Sequence, residues 1–333
     1  MSNPVLVEVW RGALVESRHR GALAVVDADG RTVLALGDVG SPVYPRSAVK
    51  ALQALVLVES GAAERFGLGD EELALACASH GGELGHVATA VHMLSAAGFD
   101  AAALQCGAHW PSHAASARDL VRAGAEPTAL HNNCSGKHAG FVCAACAMGV
   151  DHREYISAAH PVQREVKATI ESLAGTKLPD AHRGVDGCSA PNWAVPLQNL
   201  ALAFARFGTG HALTPQRSKA AARLRAACAA KPWHVAGTGR FCTEMMQHFG
   251  ARVFVKTGAE GVYCGALPEQ GLGIALKCED GAGRAAELIM AAMVARFLAD
   301  ADRSWLERFL RPTLRNWNGI VVGGLRPAEA LTS

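Results

Sequence analysis

Aromatic side chains are scarce in this 333-residue chain, at 6% with only three tyrosines, and the formal net charge is only +2. No basic stripe with interleaved aromatics occurs; the densest basic run is Arg18-His19-Arg20. Together these absences exclude nucleic acid as an expected partner. There is also no uncharged apolar run of about eighteen residues, so no membrane span is expected. The opening stretch from Met1 to Trp10 has no basic n-region and only a short apolar run, and a cytoplasmic location is the expectation. Internal repeats and low-complexity tracts are absent too. Ten cysteines are spread through the chain, and Cys143-Ala-Ala-Cys146 lacks the aromatic-Cys-Gly-Pro context of a redox motif, so most are read as buried thiols packing as small hydrophobes.

What is present suffices for a large core, because half of the residues are hydrophobic. Strand patterns come first and last. Residues 22–27 and 31–36 flank Ala28-Asp29-Gly30, a hairpin signal, and residues 251–256, 261–265 and 272–277 read as an antiparallel meander. Helical patterns fill the middle, near 71–77, 84–97, 115–123, 136–149, 161–173, 197–206 and 214–230, and another follows at 285–298. The expected class is α+β, with an antiparallel sheet built from both chain ends and an inserted helical lobe. The whole chain, 1–333, reads as one domain, its sheet lobe about 1–45 and 250–333 and its helical lobe about 46–249.

Chemistry concentrates in four stretches. Ser47 and Lys50 stand three apart at the head of an apolar run, Ala51 to Leu57, that reads as one helix. Residues at this spacing share a helix face, so the amine is expected to reach the hydroxyl and take its proton. A helix-capping serine and a solvated lysine are the bland alternative, but a lysine on so apolar an element is a buried charge, which favours a task. Far downstream, Val255-Lys256-Thr257-Gly258 places a Lys-Thr-Gly triplet on a strand. Cys77-Ala78-Ser79-His80 ends a helical run. Cys134 and Lys137, in Asn133-Cys134-Ser135-Gly136-Lys137-His138, open a helix where a thiolate is favoured. Cys188, in Asp186-Gly187-Cys188, offers a second sulfur. Two thiolates and a nitrogen suit zinc by softness and number. The same residues also suit two buried thiols and a lysine paired with Asp186.

Ser-x-x-Lys early and Lys-Thr-Gly late is the order of serine β-lactamases and penicillin-binding proteins. The full set, Arg46-Ser47-x-x-Lys50, Cys77-Ala-Ser-His80, Asn133-Cys-Ser-Gly-Lys-His138, Asp186-Gly-Cys188 and Lys256, resembles the class 3, thermolabile "asparaginase II" L-asparaginases typified by Rhizobium etli. The resemblance runs from Val7-Glu8 to Val322-Gly323-Gly324. It implies a serine β-lactamase-like fold and hydrolysis of L-asparagine to L-aspartate and ammonia through an acyl-enzyme. It implies two Ser–Lys pairs, Ser47 with Lys50 and Ser79 with Lys256, and one zinc held by Cys134, Lys137 and Cys188. Arg46 and Asp186 line the substrate pocket by the same match. His80 and His138, the histidines inside motifs, are expected beside them, and a homodimer is the default assembly. Thr257 after Lys256 is closer to the β-lactamase triplet than in some relatives, whereas the β-lactamase Ser-Asp-Asn triplet is missing, its role falling to Ser79. On this reading Ser47 attacks, Lys50 is its base, and Ser79 with Lys256 relays a proton to the leaving ammonia. Glutaminase, penicillin-interacting enzyme or esterase, and a zinc- or thiol-sensing protein without turnover are the competing functions.

Overall fold

The computed structural model describes residues 2–332 and is α+β, its sheet drawn from both chain ends. Two compact units cluster. One joins Met1–Ala48, Val195–His211 and Val255–Ser333, and the other joins Val49–Ala194 and Ala212–Phe254. The helix Leu197–Thr209 thus groups with the sheet, as Gly283–Phe297 does, although its neighbours in sequence belong to the other unit.

Eight antiparallel strands form the main sheet: β1 Val5–Arg11, β2 Leu14–Asp27, β3 Thr32–Leu36, β4 Phe254–Thr257, β5 Val262–Leu267, β6 Leu272–Cys278, β7 Thr313–Arg315 and β8 Val321–Pro327. Their order is β7-β8-β1-β2-β6-β5-β4, with β3 also on β2. The long β2 holds the sheet together. Its first half pairs β1, and its second half pairs β6 and β3. Gly21 lies at the changeover, where a Cβ would come within 2.5 Å of Lys277 O. The expected hairpin forms as read, with Asp27 Oδ1 accepting from the Asp29 and Arg31 N–H groups and Gly30 at φ +94°. The meander also forms, but β4 starts only at Phe254 because Gly250–Arg252 makes a 3-10 turn. Helix Leu197–Thr209 packs so closely on β6 that a Cβ at Gly273 would lie 2.0 Å from Ala201 O. Strands β7 and β8 were not anticipated by pattern.

The helical unit is built round Ser135–Ala147. Eleven of its residues, Ser135 to Ala145, are buried. A helix buried on all sides shows no polar stripe, and Gly136 lets it approach the Ala76 end of helix Asp70–Ala76, since a Cβ there would meet Leu75 O at 2.4 Å. The expected single helix after Ser47 is broken. Arg46–Val49 is a 3-10 turn, and two short helices follow, Lys50–Gln53 and Leu55–Glu59. No helix among the described residues is long and apolar enough to cross a membrane.

Candidate active site

In the sheet unit, two of the expected motifs meet. Gly258, the last residue of the Lys-Thr-Gly triplet, lies under the turn that carries Ser47. A Cβ on it would sit 2.7 Å from Pro45 O and 3.2 Å from Ala48 N, so only glycine lets the turn seat there. Arg46, immediately before the serine, has φ +52°. A non-glycine residue in that region costs about 1–3 kcal/mol, and such strain clusters at functional sites. Ser47 itself is half-buried. Lys256 is wholly buried on β4 and its Nζ donates to Thr257 O at 2.9 Å.

In the helical unit, Lys50 is the centre. It is 1% exposed, and its Nζ donates to Ala78 O at 2.6 Å, to Ser79 Oγ at 3.0 Å and to Asn133 O at 3.3 Å. Three oxygens from three segments of the chain thus surround the amine. The lysine expected to serve Ser47 is thus hydrogen-bonded to Ser79, a residue 29 positions away. Asn133 had no assigned role, yet its carbonyl accepts from both Lys50 and the His80 N–H, and its own N–H donates to His109 Nε2 at 2.9 Å.

His80 is buried beside Ser79. Gly82 N–H donates to its Nδ1, so in the neutral ring the proton is on Nε2, which donates to Ser135 Oγ at 2.9 Å. Burial, with His86 and Lys50 nearby, pushes its pKa well below the ordinary histidine value. His138 is also buried, and burial together with Lys137 lowers it to about 4. Its Nδ1 lies 2.7 Å from the Tyr155 hydroxyl, which accepts from Gln105 N–H, and its ring is also within reach of Cys188. Ser135 and Tyr155 are therefore site residues that motif reading missed. Ser135 stood inside a recognised motif, and Tyr155 is one of only three tyrosines, the available signals.

The sulfur cluster forms in the same unit. Lys137 Nζ donates to Cys188 Sγ at 3.0 Å. Cys134, Lys137 and Cys188 are each no more than 4% exposed. Hydrogen bonding to Cys188 holds the Cys134 thiol well below its ordinary value against burial, helped by Lys50 and Lys137. Burial opposes the Lys137 charge, but Cys188, Cys134 and Asp186 outweigh it and hold the amine above its usual value. Asp186 and Cys188 ride on a tight turn in which Ser189 N–H donates to Asp186 O, with Ser189 at φ +69°. Among the described residues no group of three His, Cys, Asp or Glu side chains is placed to hold a metal. Two buried sulfurs and an amine nitrogen are nonetheless a donor set that fits zinc, provided Lys137 gives up its proton.

The L-asparaginase II family profile matches residues 7–327 of the chain. The chain belongs to the L-asparaginase II family. Membership supports a serine-type amidohydrolase acting on a small molecule. A comparison with curated protein sequences returns no match. Among solved structures, Mglu in its native form is 16% identical over 90% of this chain and 71% of that one, with TM-score 0.46. Mglu in its glutamate form is 18% identical over 85% of this chain and 62% of that one, with TM-score 0.48. A β-lactamase from Mycobacterium bovis is 14% identical over 84% of this chain and 95% of that one, with TM-score 0.42.

Proposed function

We propose that this member of the L-asparaginase II family hydrolyses L-asparagine to L-aspartate and ammonia by serine–lysine chemistry. The observation that carries the reading is the family match together with Lys50, a fully buried lysine bonded to Ser79 Oγ. A lysine is desolvated in this way where it must hand a proton on and off a hydroxyl.

Ser47 attacks the side-chain carboxamide carbon. It is the more exposed of the two serines, presented on a strained turn. Its proton passes into the Lys50–Ser79 pair as the Ser47–acyl bond forms. The same pair returns the proton to the amide nitrogen as the C–N bond breaks and ammonia leaves. Water then cleaves the ester and regenerates Ser47. Lys256 adds positive charge where the oxyanion develops. Arg46 and Asp186 are suited by charge to the α-carboxylate and α-amino group. His80 and His138, held neutral by burial, supply neutral polar contacts. A zinc ion would be held by Cys134, Lys137 and Cys188, and when bound it supplies charge that positions the substrate and ties the two loops together.

Mass spectrometry of Ser47→Ala and Ser79→Ala after mixing with L-asparagine tests the assignment. An aspartyl adduct on Ser47 in Ser79→Ala, and none in Ser47→Ala, is expected. The reverse pattern moves the nucleophile to Ser79. Glutamine differs by one methylene, worth about 1–3 kcal/mol in a pocket, so glutamine turnover lower than asparagine turnover by no more than about 10- to 200-fold is the companion expectation.

A further inference from the structure

The segment between helices Pro215–Ala230 and Phe241–Phe249, which carries the short helix Pro232–Ala236, takes no part in the chemistry above, yet it holds Ser79 directly. Ser79 N–H donates to Val235 O at 2.9 Å. Residues 78–83 form neither helix nor strand, so no regular ladder fixes this serine. The short helix and the turn after it are fastened to the residues that follow Ser79 by side chains. Glu83 Oε1 accepts from Thr238 N–H at 2.9 Å, and Oε2 accepts from Thr238 Oγ1 at 2.7 Å. His86 accepts from Glu83 N–H on Nδ1 and donates from Nε2 to Trp233 O at 3.1 Å. The His86 ring lies between two others, 3.9 Å from Trp233 and 4.8 Å from His80, near-parallel to both. Trp233 Nε1–H donates to Thr238 Oγ1. Two glycines make the fit possible. A Cβ at Gly85 would meet Trp233 Cη2 at 2.7 Å, and one at Gly237, where φ is +103°, would meet Glu83 Oε1 at 2.6 Å.

We propose that Glu83, His86 and Trp233 form a latch that sets the position of Ser79, acting as positioning residues for amide hydrolysis; this rests on the amidohydrolase reading above. Glu83 is 8% exposed and His86 fully buried. Buried carboxylates are a poor route to stability, since apolar packing of the same volume does as well or better. Here the carboxylate's two oxygens fix one residue, Thr238, just after the short helix that receives the Ser79 amide. A ring stack then carries the same constraint to His80. Misplacing a reacting group by about 1 Å costs on the order of 100-fold in rate, so small slippage of this short helix is felt in turnover before it is felt in binding.

Glu83→Leu removes both acceptors, Glu83→Gln keeps one, and Thr238→Val removes the surface half of the contact should Glu83→Leu fail to fold. The latch predicts a kcat loss of roughly tenfold or more in Glu83→Leu and Thr238→Val with KM changed by less than about threefold. Glu83→Gln recovers most of that loss. Amide hydrogen exchange at Ser79 and His80 quickens in the disrupted variants well below their melting temperatures. A lowered melting temperature with unchanged kcat and unchanged Ser79 exchange would overturn the proposal and leave ordinary packing. A wild type that releases no ammonia would remove the amidohydrolase reading, whereas the exchange data alone decide whether the latch holds Ser79.

Discussion

His86 makes stability pH-dependent in a calculable way. Its ring is fully buried, and burial, only partly offset by its bond to Trp233 O and by Glu83, lowers its pKa from 6.5 to about 4. In the unfolded chain the residue takes up a proton near its ordinary value. The unfolded state therefore binds more protons through this window, and folding stability falls as pH falls. The loss begins below the unfolded value, grows through the interval and levels off below the folded value. Between about pH 7 and pH 4 it amounts to about 3 kcal/mol from this one side chain. Protonation also removes Nδ1 as acceptor for Glu83 N–H, so turnover falls together with stability. Urea unfolding of wild type and His86→Gln at both ends of that range tests the effect, because burial, the main cause of the His80 and His138 shifts, acts in both proteins and only the smaller His86 contribution to His80 is lost with the variant. Wild type is expected to lose about 3 kcal/mol more than the variant on acidification. Equal losses would refute the reasoning.

Four further outcomes follow from the packing and charge described. Gly136→Ala should gain helix propensity, about 1 kcal/mol, yet lose about 1–3 kcal/mol overall because its Cβ would meet Leu75 O at 2.4 Å; a raised melting temperature would contradict that close approach. Gly258→Ala should displace the Ser47 turn and lower kcat/KM on the order of 100-fold, measured as ammonia release; unchanged kinetics would detach the triplet from the serine. Lys256→Met should lower kcat by roughly 10²- to 10⁴-fold with the fold intact by circular dichroism, and a smaller effect would take Lys256 out of the chemistry. Chelation should lower both the melting temperature and the affinity for L-asparagine if Cys134, Lys137 and Cys188 hold zinc; unchanged values of both would remove the metal from the account.

Much of the site is legible along the chain because its chemistry sits in short, dense motifs. Lys50 stood out as a charge inside an apolar run, and it is 1% exposed. Cys134, Lys137 and Cys188 were grouped by donor type, and a 3.0 Å bond from Lys137 to Cys188 joins two of them across 51 residues. The partner of Lys50 was not legible. Helical spacing pointed to Ser47, but the chain takes a 3-10 turn at Arg46–Val49, and helix Asp70–Ala76 delivers Ser79 to the amine instead. No local pattern encodes that long-range meeting. Strand β8 was missed for a related reason. Gly323 and Gly324 interrupt its alternation, whereas a Cβ at Gly323 would lie 2.1 Å from Trp10 O, so the glycines mark close backbone approach within the sheet. Helix Leu197–Thr209 follows many helices in sequence but packs on β6, a choice set by Gly273 some seventy residues later. The latch residues carried no motif at all, because Glu83 and His86 act through a short helix and the turn after it, about 150 residues downstream.

Ammonia release from L-asparagine at alkaline pH, with wild type and Ser47→Ala side by side, tests the central claim most directly. Release by wild type and none by the folded variant is the predicted result. No release by a folded wild type, with and without added zinc, would contradict it.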